Sequence, residues 1–180
     1  VCAASEISDT EPLWRSDATR IVGRTPEEIV RPMELLLSHA RSVLLIDPYF
    51  ASPDGTPRER FLRPLARLME VLRAQRRFPE RLEYHSNAAN IRTSLKLFRE
   101  RMRAGIAPLL RPGQFVDFVG WRPRKSPRAQ AFHDRYIVTE LGGAGYTYGL
   151  DDGPEGETTG VQRLSAEDHA RVLENFSLRS

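Results

Sequence analysis

The apolar run Val43-Leu44-Leu45-Ile46 constrains the fold more than any other feature of the sequence. A short run without polar alternation is typical of a strand that is covered on both faces, as in a parallel sheet. The run ends at Asp47-Pro48-Tyr49, where a proline predicts the end of the strand. We therefore expect residues 43–46 to form a central strand with other elements packed above and below it.

The segments around this strand alternate between helical and extended patterns. Helices are predicted over residues 25–41 (divided or kinked at Pro32), 61–77, 90–105 and 165–176, from apolar spacings of three and four and from capping residues. Strands are predicted over residues 82–85, 115–121, 132–139, 144–148 and 160–164, with a hairpin turn at 141–143. This order predicts an α/β fold, with a mixed sheet flanked by helices that is parallel early and antiparallel late.

The chain of 180 residues is long enough for one core of ordinary size. We expect a single domain over residues 16–180 that follows a disordered tail over residues 1–15. No apolar stretch approaches the roughly 18 residues that a membrane span needs. Cys2 is the single cysteine, which excludes an intramolecular disulfide and a cysteine-rich zinc site. The sequence thus favours a soluble, cytoplasmic protein.

Charge is distributed unevenly along the chain. The net charge of +3 combines −4 over residues 1–55, +12 over residues 56–135 and −5 over residues 136–180. All but Lys96 and Lys125 of the 27 basic residues are arginine, whose planar guanidinium suits phosphate. The basic middle segment predicts a polyanion partner, although a codon bias toward arginine with a solvated charged face explains it equally well.

The segment from Phe132 to Glu140 is the most informative for chemistry. On a strand, His133 and Arg135 point to the same face, so an imidazole and a guanidinium lie side by side. This pair suits a phosphate, because histidine can act as nucleophile or acid while arginine binds the oxygens. The alternative is a polar strand end whose side chains only bond to their neighbours.

The spacing of His133, Arg135 and Glu140 resembles the HxKxxxxD motif of the phospholipase D superfamily, with both replacements keeping the charge. The serine and asparagine of the family's GSxN segment are missing, since Thr147-Tyr148-Gly149-Leu150 stands there. A closer resemblance is to the phospholipase-D-like C-terminal domain of microtubule-interacting and trafficking (MIT) domain proteins, which share DPY, HDR and GLD segments. These segments here are 47–49, 133–135 and 149–151.

The resemblance implies one phospholipase-D-like half and two functional alternatives. The active enzymes use two such motifs, one histidine forming a covalent phospho-intermediate and the other protonating the leaving group. With one motif, catalysis by His133, Arg135 and Glu140 would need a homodimer that pairs two copies of His133. The MIT-linked domains are instead regarded as catalytically silent and bind anionic lipid.

We therefore expect first a domain that recognises a phosphate-bearing ligand, either nucleic acid or acidic lipid, and is catalytically degenerate. The alternative is a homodimeric, metal-independent phosphodiesterase or nuclease that uses a histidine nucleophile. No cofactor and no metal site are expected. Asp47 at the carboxyl end of its strand and Tyr49 beside it are candidate ligand-binding residues, since open α/β sheets place ligands there. A strand end terminated by proline, where Asp47 only stabilises the turn, explains the same residues equally well. The remaining candidates are the basic residues of the loop before the motif strand: Arg122, Arg124, Lys125 and Arg128.

Overall fold

The computed structural model describes residues 19–75, 78–89, 91–121 and 134–176. Within these ranges, seven strands form one mixed sheet in the order β1-β7-β6-β5-β2-β3-β4. The strands are β1 (Arg20–Gly23), β2 (Ser42–Ile46), β3 (Arg81–Asn87), β4 (Asp117–Trp121), β5 (Arg135–Thr139), β6 (Gly142–Tyr146) and β7 (Thr158–Arg163). Strands β2, β3 and β4 are mutually parallel, while β5, β6, β7 and β1 join by antiparallel pairing. The predicted α/β class and the change from parallel to antiparallel pairing are confirmed.

Strand β2 lies in the interior of the sheet and is covered on both faces. Val43 and Leu45 belong to the large core, which also includes Phe61, Leu68 and Met102 from the helices on that face. Leu44 and Ile46 face the other side, where they pack in the cluster that contains Val172 and Phe176. Two-sided burial explains why this strand is apolar at four consecutive positions.

The described residues form five helices, of which the first and the last begin where the capping residues predict, while the third spans Glu59–Arg73 and not the predicted 61–77. They are α1 (Pro26–Val30), α2 (Glu34–Leu37), α3 (Glu59–Arg73), α4 (Leu95–Ile106) and α5 (Ala166–Phe176), with 3-10 turns at Arg31–Met33 and Ala107–Leu109. The Thr25 hydroxyl accepts from the Glu28 amide, and the first helical segment changes to a 3-10 turn around Pro32. Helix α4 begins later than predicted because Ser94 is its cap and accepts from the Leu97 amide.

Strand β1 was not predicted from the sequence. Its four residues contain only two consecutive apolar positions, Ile21 and Val22, too few to establish a strand period. Pairing with β7 on its one bonded edge provides the order that the local sequence does not, with Arg20 opposite Val161. The expected tail over residues 1–15 lies outside the described residues.

Candidate functional site

The candidate site lies at one edge of the sheet, where the carboxyl ends of β2 and β3 meet the amino end of β5. Ile46 pairs with His85 on one side and with Tyr136 on the other. The loop after β2, the loop after β3 and the residues before β5 therefore converge at this edge. Ligand sites of open α/β sheets are found at such strand ends.

Asp47 is the buried anchor of this edge. Its carboxylate has no exposed surface and accepts hydrogen bonds from the Tyr49 amide (2.8 Å) and from the Leu150 amide (2.9 Å). Burial raises the pKa of Asp47 to about 6, although the two amide bonds and the positive charge of Arg135 oppose the rise. Asp47 thus joins the loop after β2 to the segment after β6, and its carboxylate does not face solvent.

Tyr49 and Arg135 are brought together, as the strand-end argument predicts. The Arg135 guanidinium carbon lies 5.1 Å from the centre of the Tyr49 ring, a cation–π contact. One Arg135 amino group reaches the Thr147 carbonyl at 3.5 Å, while the buried Nε atom has no hydrogen-bond partner. Among the described residues, no carboxylate lies within ion-pair distance of Arg135.

A cleft of about 300 Å³ opens beside Tyr49. We call it the Tyr49 cleft. Its lining consists of Pro48, Tyr49, Ala51, Pro53, Arg58, Asn87, Ala89 and Arg92. The lining contains two arginines and no acidic residue, and the Asn87 side-chain oxygen is occupied by the Ala89 amide at 2.8 Å. Two guanidinium groups in a lining without acidic residues suit an anion.

Arg58 has an unusual environment for an arginine of this chain. Its Nε atom is buried without a hydrogen-bond partner, and within the described ranges its side chain has no carboxylate neighbour at ion-pair distance. Arg24 also has an unsatisfied Nε, but its guanidinium already binds Asp151 (2.7 Å) and Glu157. A buried polar group without a partner in a cleft is what an absent anion or water would satisfy.

A second depression, of about 470 Å³, lies on the other side of Arg58. We call it the Arg63 depression. It is lined by Arg58, Glu59, Arg60, Arg63, Asp152, Gly153 and Pro154. Arg63 pairs with Asp152 at 2.9 Å, and Arg60 pairs with the buried Asp151 at 3.1 Å. These ion pairs connect the start of α3 to the segment after β6, so Arg58 stands between two concave surfaces.

Glu140 is not part of this edge. It follows β5 at the opposite end of the strand, about 16 Å along the chain from Arg135 at the usual rise per residue. Its carboxylate accepts from the Arg41 amide (2.7 Å), the Ser42 amide (2.9 Å) and the Ser42 hydroxyl (3.1 Å). Burial opposes ionisation, but these bonds hold the pKa of Glu140 below its ordinary value. The contacts anchor the start of β2.

The other sequence-predicted site residues belong to the segment between β4 and β5. His133, Arg122, Arg124, Lys125 and Arg128 lie outside the described residues. Conversely, sequence reasoning missed Arg58, Asn87 and Arg92. No motif marks these three positions, and in a chain with 25 arginines the residue type alone does not distinguish Arg58 or Arg92.

A buried polar chain lies under α5 on the far face of the sheet. The Trp121 indole donates to His85 Nδ1 (2.9 Å), and His85 Nε2 contacts the Glu83 carboxylate (2.8 Å), which Arg81 also binds. Burial lowers the pKa of His85, so the ring is neutral and donates from Nε2. His85 has no exposed surface, so this chain is a structural feature of the fold.

Within the described ranges, no group of three or more histidine, cysteine, aspartate or glutamate side chains is placed to hold a metal ion. No helix of those ranges combines the length and the apolar character that crossing a membrane requires. Comparison of the chain with protein-family models, with curated proteins and with solved structures returns no match.

Proposed function

We propose that the protein binds a phosphate-bearing ligand in the Tyr49 cleft, with Arg58, Arg92 and Arg135 as the cationic groups. The observation that carries the proposal is the buried, unpartnered Nε atom of Arg58 in a cleft without acidic residues. Guanidinium groups form charge-assisted hydrogen bonds with phosphate oxygens, which are stronger than neutral ones. An anion in the cleft would satisfy the groups that the protein leaves unsatisfied.

Charge pairing elsewhere in the chain supports this choice of site. Arg24 and Arg67 each lie within 3 Å of a carboxylate oxygen and are mostly buried, so their charges are already compensated. Arg58 and Arg135 have no such partner among the described residues, and the Asp47 carboxylate, on which the charge of Arg135 acts, is buried. The positive charge at this edge is therefore available to a ligand.

Preorganisation also supports binding. Asp47 fixes the amide of Tyr49, and Tyr49 in turn carries the Arg135 guanidinium on its ring. A site whose side chains are already held loses less conformational entropy when the ligand arrives. The same arrangement explains why Asp47 contributes to the site without touching the ligand.

The experiment is a titration of the protein with inorganic phosphate at pH 7 and low ionic strength, in which calorimetry measures the heat of binding. Arg58→Gln should weaken binding by about tenfold or more, because a hydrogen bond to a charged group contributes about 1.5–3 kcal/mol. Arg111→Gln is the matched control, since Arg111 is exposed and lies in the segment that leads to the amino end of β4. Equal loss in both variants would refute the Tyr49 cleft as the site.

Membership in the phospholipase-D-like superfamily remains a proposal that rests on the segments at 47–49, 133–135 and 149–151. The enzymatic alternative depends on His133, which lies outside the described residues. A homodimer that pairs two such histidines likewise remains a prediction. Binding of a phosphate-bearing ligand needs neither condition, and for this reason we place it first.

A further inference from the structure

Arg58 forms part of the wall of two concave surfaces. It lines the Tyr49 cleft together with Arg92, and it lines the Arg63 depression together with Arg60 and Arg63. A single phosphate in the Tyr49 cleft would use only one side of this arrangement. A ligand with successive phosphates can pass over Arg58 and place charges on both sides of it.

The arginines of the Arg63 depression remain accessible to such a ligand. The Arg60 and Arg63 side chains are 51% and 65% exposed, although both form ion pairs. Arg60 is held by the buried Asp151, whereas Arg63 is exposed in its pair with Asp152. Surface ion pairs contribute about 0–1 kcal/mol to stability, so a phosphate can share Arg63 at low cost. The depression can therefore accept a second anionic group beside Arg58.

Exposed aromatic side chains lie at the same strand ends, and they suit a ligand that carries an aromatic or apolar group as well as phosphate. The Tyr49 side chain is 39% exposed and lines the cleft, and Tyr148, which follows the carbonyl that Arg135 contacts, is 62% exposed. Pro48, Ala51 and Ala89 make the rest of the cleft partly apolar. Exposed aromatic rings beside a basic groove are the combination with which proteins bind unpaired bases.

We infer that the ligand is a single-stranded nucleic acid, whose backbone passes from the Tyr49 cleft over Arg58 into the Arg63 depression while a base stacks on Tyr49. The inference rests on the proposed function and extends it. The volume of the cleft, about 300 Å³, is at the lower end of the range for small-molecule sites, about 300–1,000 Å³. It suits one nucleotide unit. The rest of the strand would then lie along the depression.

The test compares thymidine monophosphate, a thymidine tetranucleotide, inorganic tripolyphosphate and vesicles of anionic phospholipid as ligands of the full chain. The tetranucleotide should bind about tenfold more tightly than the mononucleotide, because it also engages the depression and releases more counterions. Arg63→Gln should weaken the tetranucleotide and leave the mononucleotide unchanged. Tyr49→Leu should weaken tripolyphosphate to a small extent, because Arg135 loses the ring it lies on, and should weaken both nucleotides about tenfold more than that, the magnitude of one lost base stack.

The outcomes separate this inference from the proposed function. If the mononucleotide and the tetranucleotide bind equally, or if Arg63→Gln affects both alike, the extended path is overturned while phosphate binding stands. If tripolyphosphate matches the tetranucleotide and Tyr49→Leu weakens both by the same factor, the ligand is a phosphate polymer without bases. Binding of vesicles without binding of oligonucleotides would assign the site to a lipid headgroup. If no phosphate compound binds, the proposed function itself fails. Circular dichroism confirms that each variant is folded.

Discussion

Removal of the Glu140 carboxylate should destabilise the protein and leave ligand binding intact. The resemblance to the phospholipase D motif implies that Glu140 is a catalytic residue, whereas its contacts place it at the start of β2. Glu140→Ala removes three hydrogen bonds, those from the Arg41 amide, the Ser42 amide and the Ser42 hydroxyl. The variant therefore distinguishes an anchoring role from a role in the site.

The expected loss of stability depends on how many of the three donors can bond to water in the Glu140→Ala variant. Arg41 is exposed, so its amide regains a hydrogen bond to water and contributes little to the loss. Ser42 is half-buried and starts the central strand, so its two donors are satisfied less well. Donors that are left unsatisfied cost about 1–3 kcal/mol. We expect a loss of about 2 kcal/mol, or about 4–8 °C in the melting temperature of a domain of this size.

The assay is thermal and urea unfolding of the parent, Glu140→Ala and the control Glu100→Ala, combined with phosphate titration at 20 °C. Glu100 is exposed on α4, so its removal should change stability by less than about 0.5 kcal/mol. Glu140→Ala should melt earlier and bind phosphate as the parent does. A variant that melts with the control but no longer binds phosphate would refute the anchoring role.

The pH dependence of the difference in unfolding free energy between the parent and Glu140→Ala also tests the anchoring role of Glu140. The folded protein holds the pKa of Glu140 below its ordinary value, so the native state binds fewer protons than the unfolded state in that range. The stabilisation by Glu140 is therefore fully present above the unfolded pKa and disappears as the pH falls through the lowered folded pKa. The gap in unfolding free energy between the parent and Glu140→Ala should accordingly narrow on acidification below about pH 4.5.

Three further predictions concern other parts of the chain. Binding to a polyanion should weaken steeply with salt, and reversal of Arg122, Arg124 and Arg128 to Glu should lower affinity; unchanged binding would identify a solvated face. If the protein cleaves a generic phosphodiester in chelator, His133→Ala should abolish turnover, and equal turnover would reveal a contaminant. Burial lowers the pKa of His85, so its protonation between pH 7 and 5 favours the unfolded state. His85→Gln should therefore lose less stability than the parent over that interval, as measured by urea unfolding; an equal loss would assign the pH dependence elsewhere.

Much of the fold could be predicted because its signals are local. Four consecutive apolar residues indicate the two-sided burial of β2, and Thr25 and Ser165 mark helix starts by their hydroxyl groups. Strand β1 carries no comparable signal, since pairing with β7 establishes it. Local patterns thus predict the interior strands of the sheet better than its outermost strand.

The candidate site was predictable only in part, for a related reason. Asp47 and Tyr49 follow the end of β2, and Arg135 begins the antiparallel β5, so the strand directions bring the three residues to the same strand ends. Arg58 and Arg92 reach the Tyr49 cleft through the shapes of two loops, which no sequence period encodes. Glu140 belongs to the same sequence motif as Arg135 but does not lie near it. Residues 135–139 are extended, so Glu140 lies at the other end of β5.

Binding in the Tyr49 cleft is tested most directly by a crystal of the protein soaked in tungstate, a heavy analogue of phosphate that its anomalous scattering locates. We expect a tungstate peak in the Tyr49 cleft, within hydrogen-bond distance of the Arg58 and Arg92 guanidinium groups, that is lost in Arg58→Gln. Tungstate peaks that lie only at other arginines, with the Tyr49 cleft empty, would contradict it.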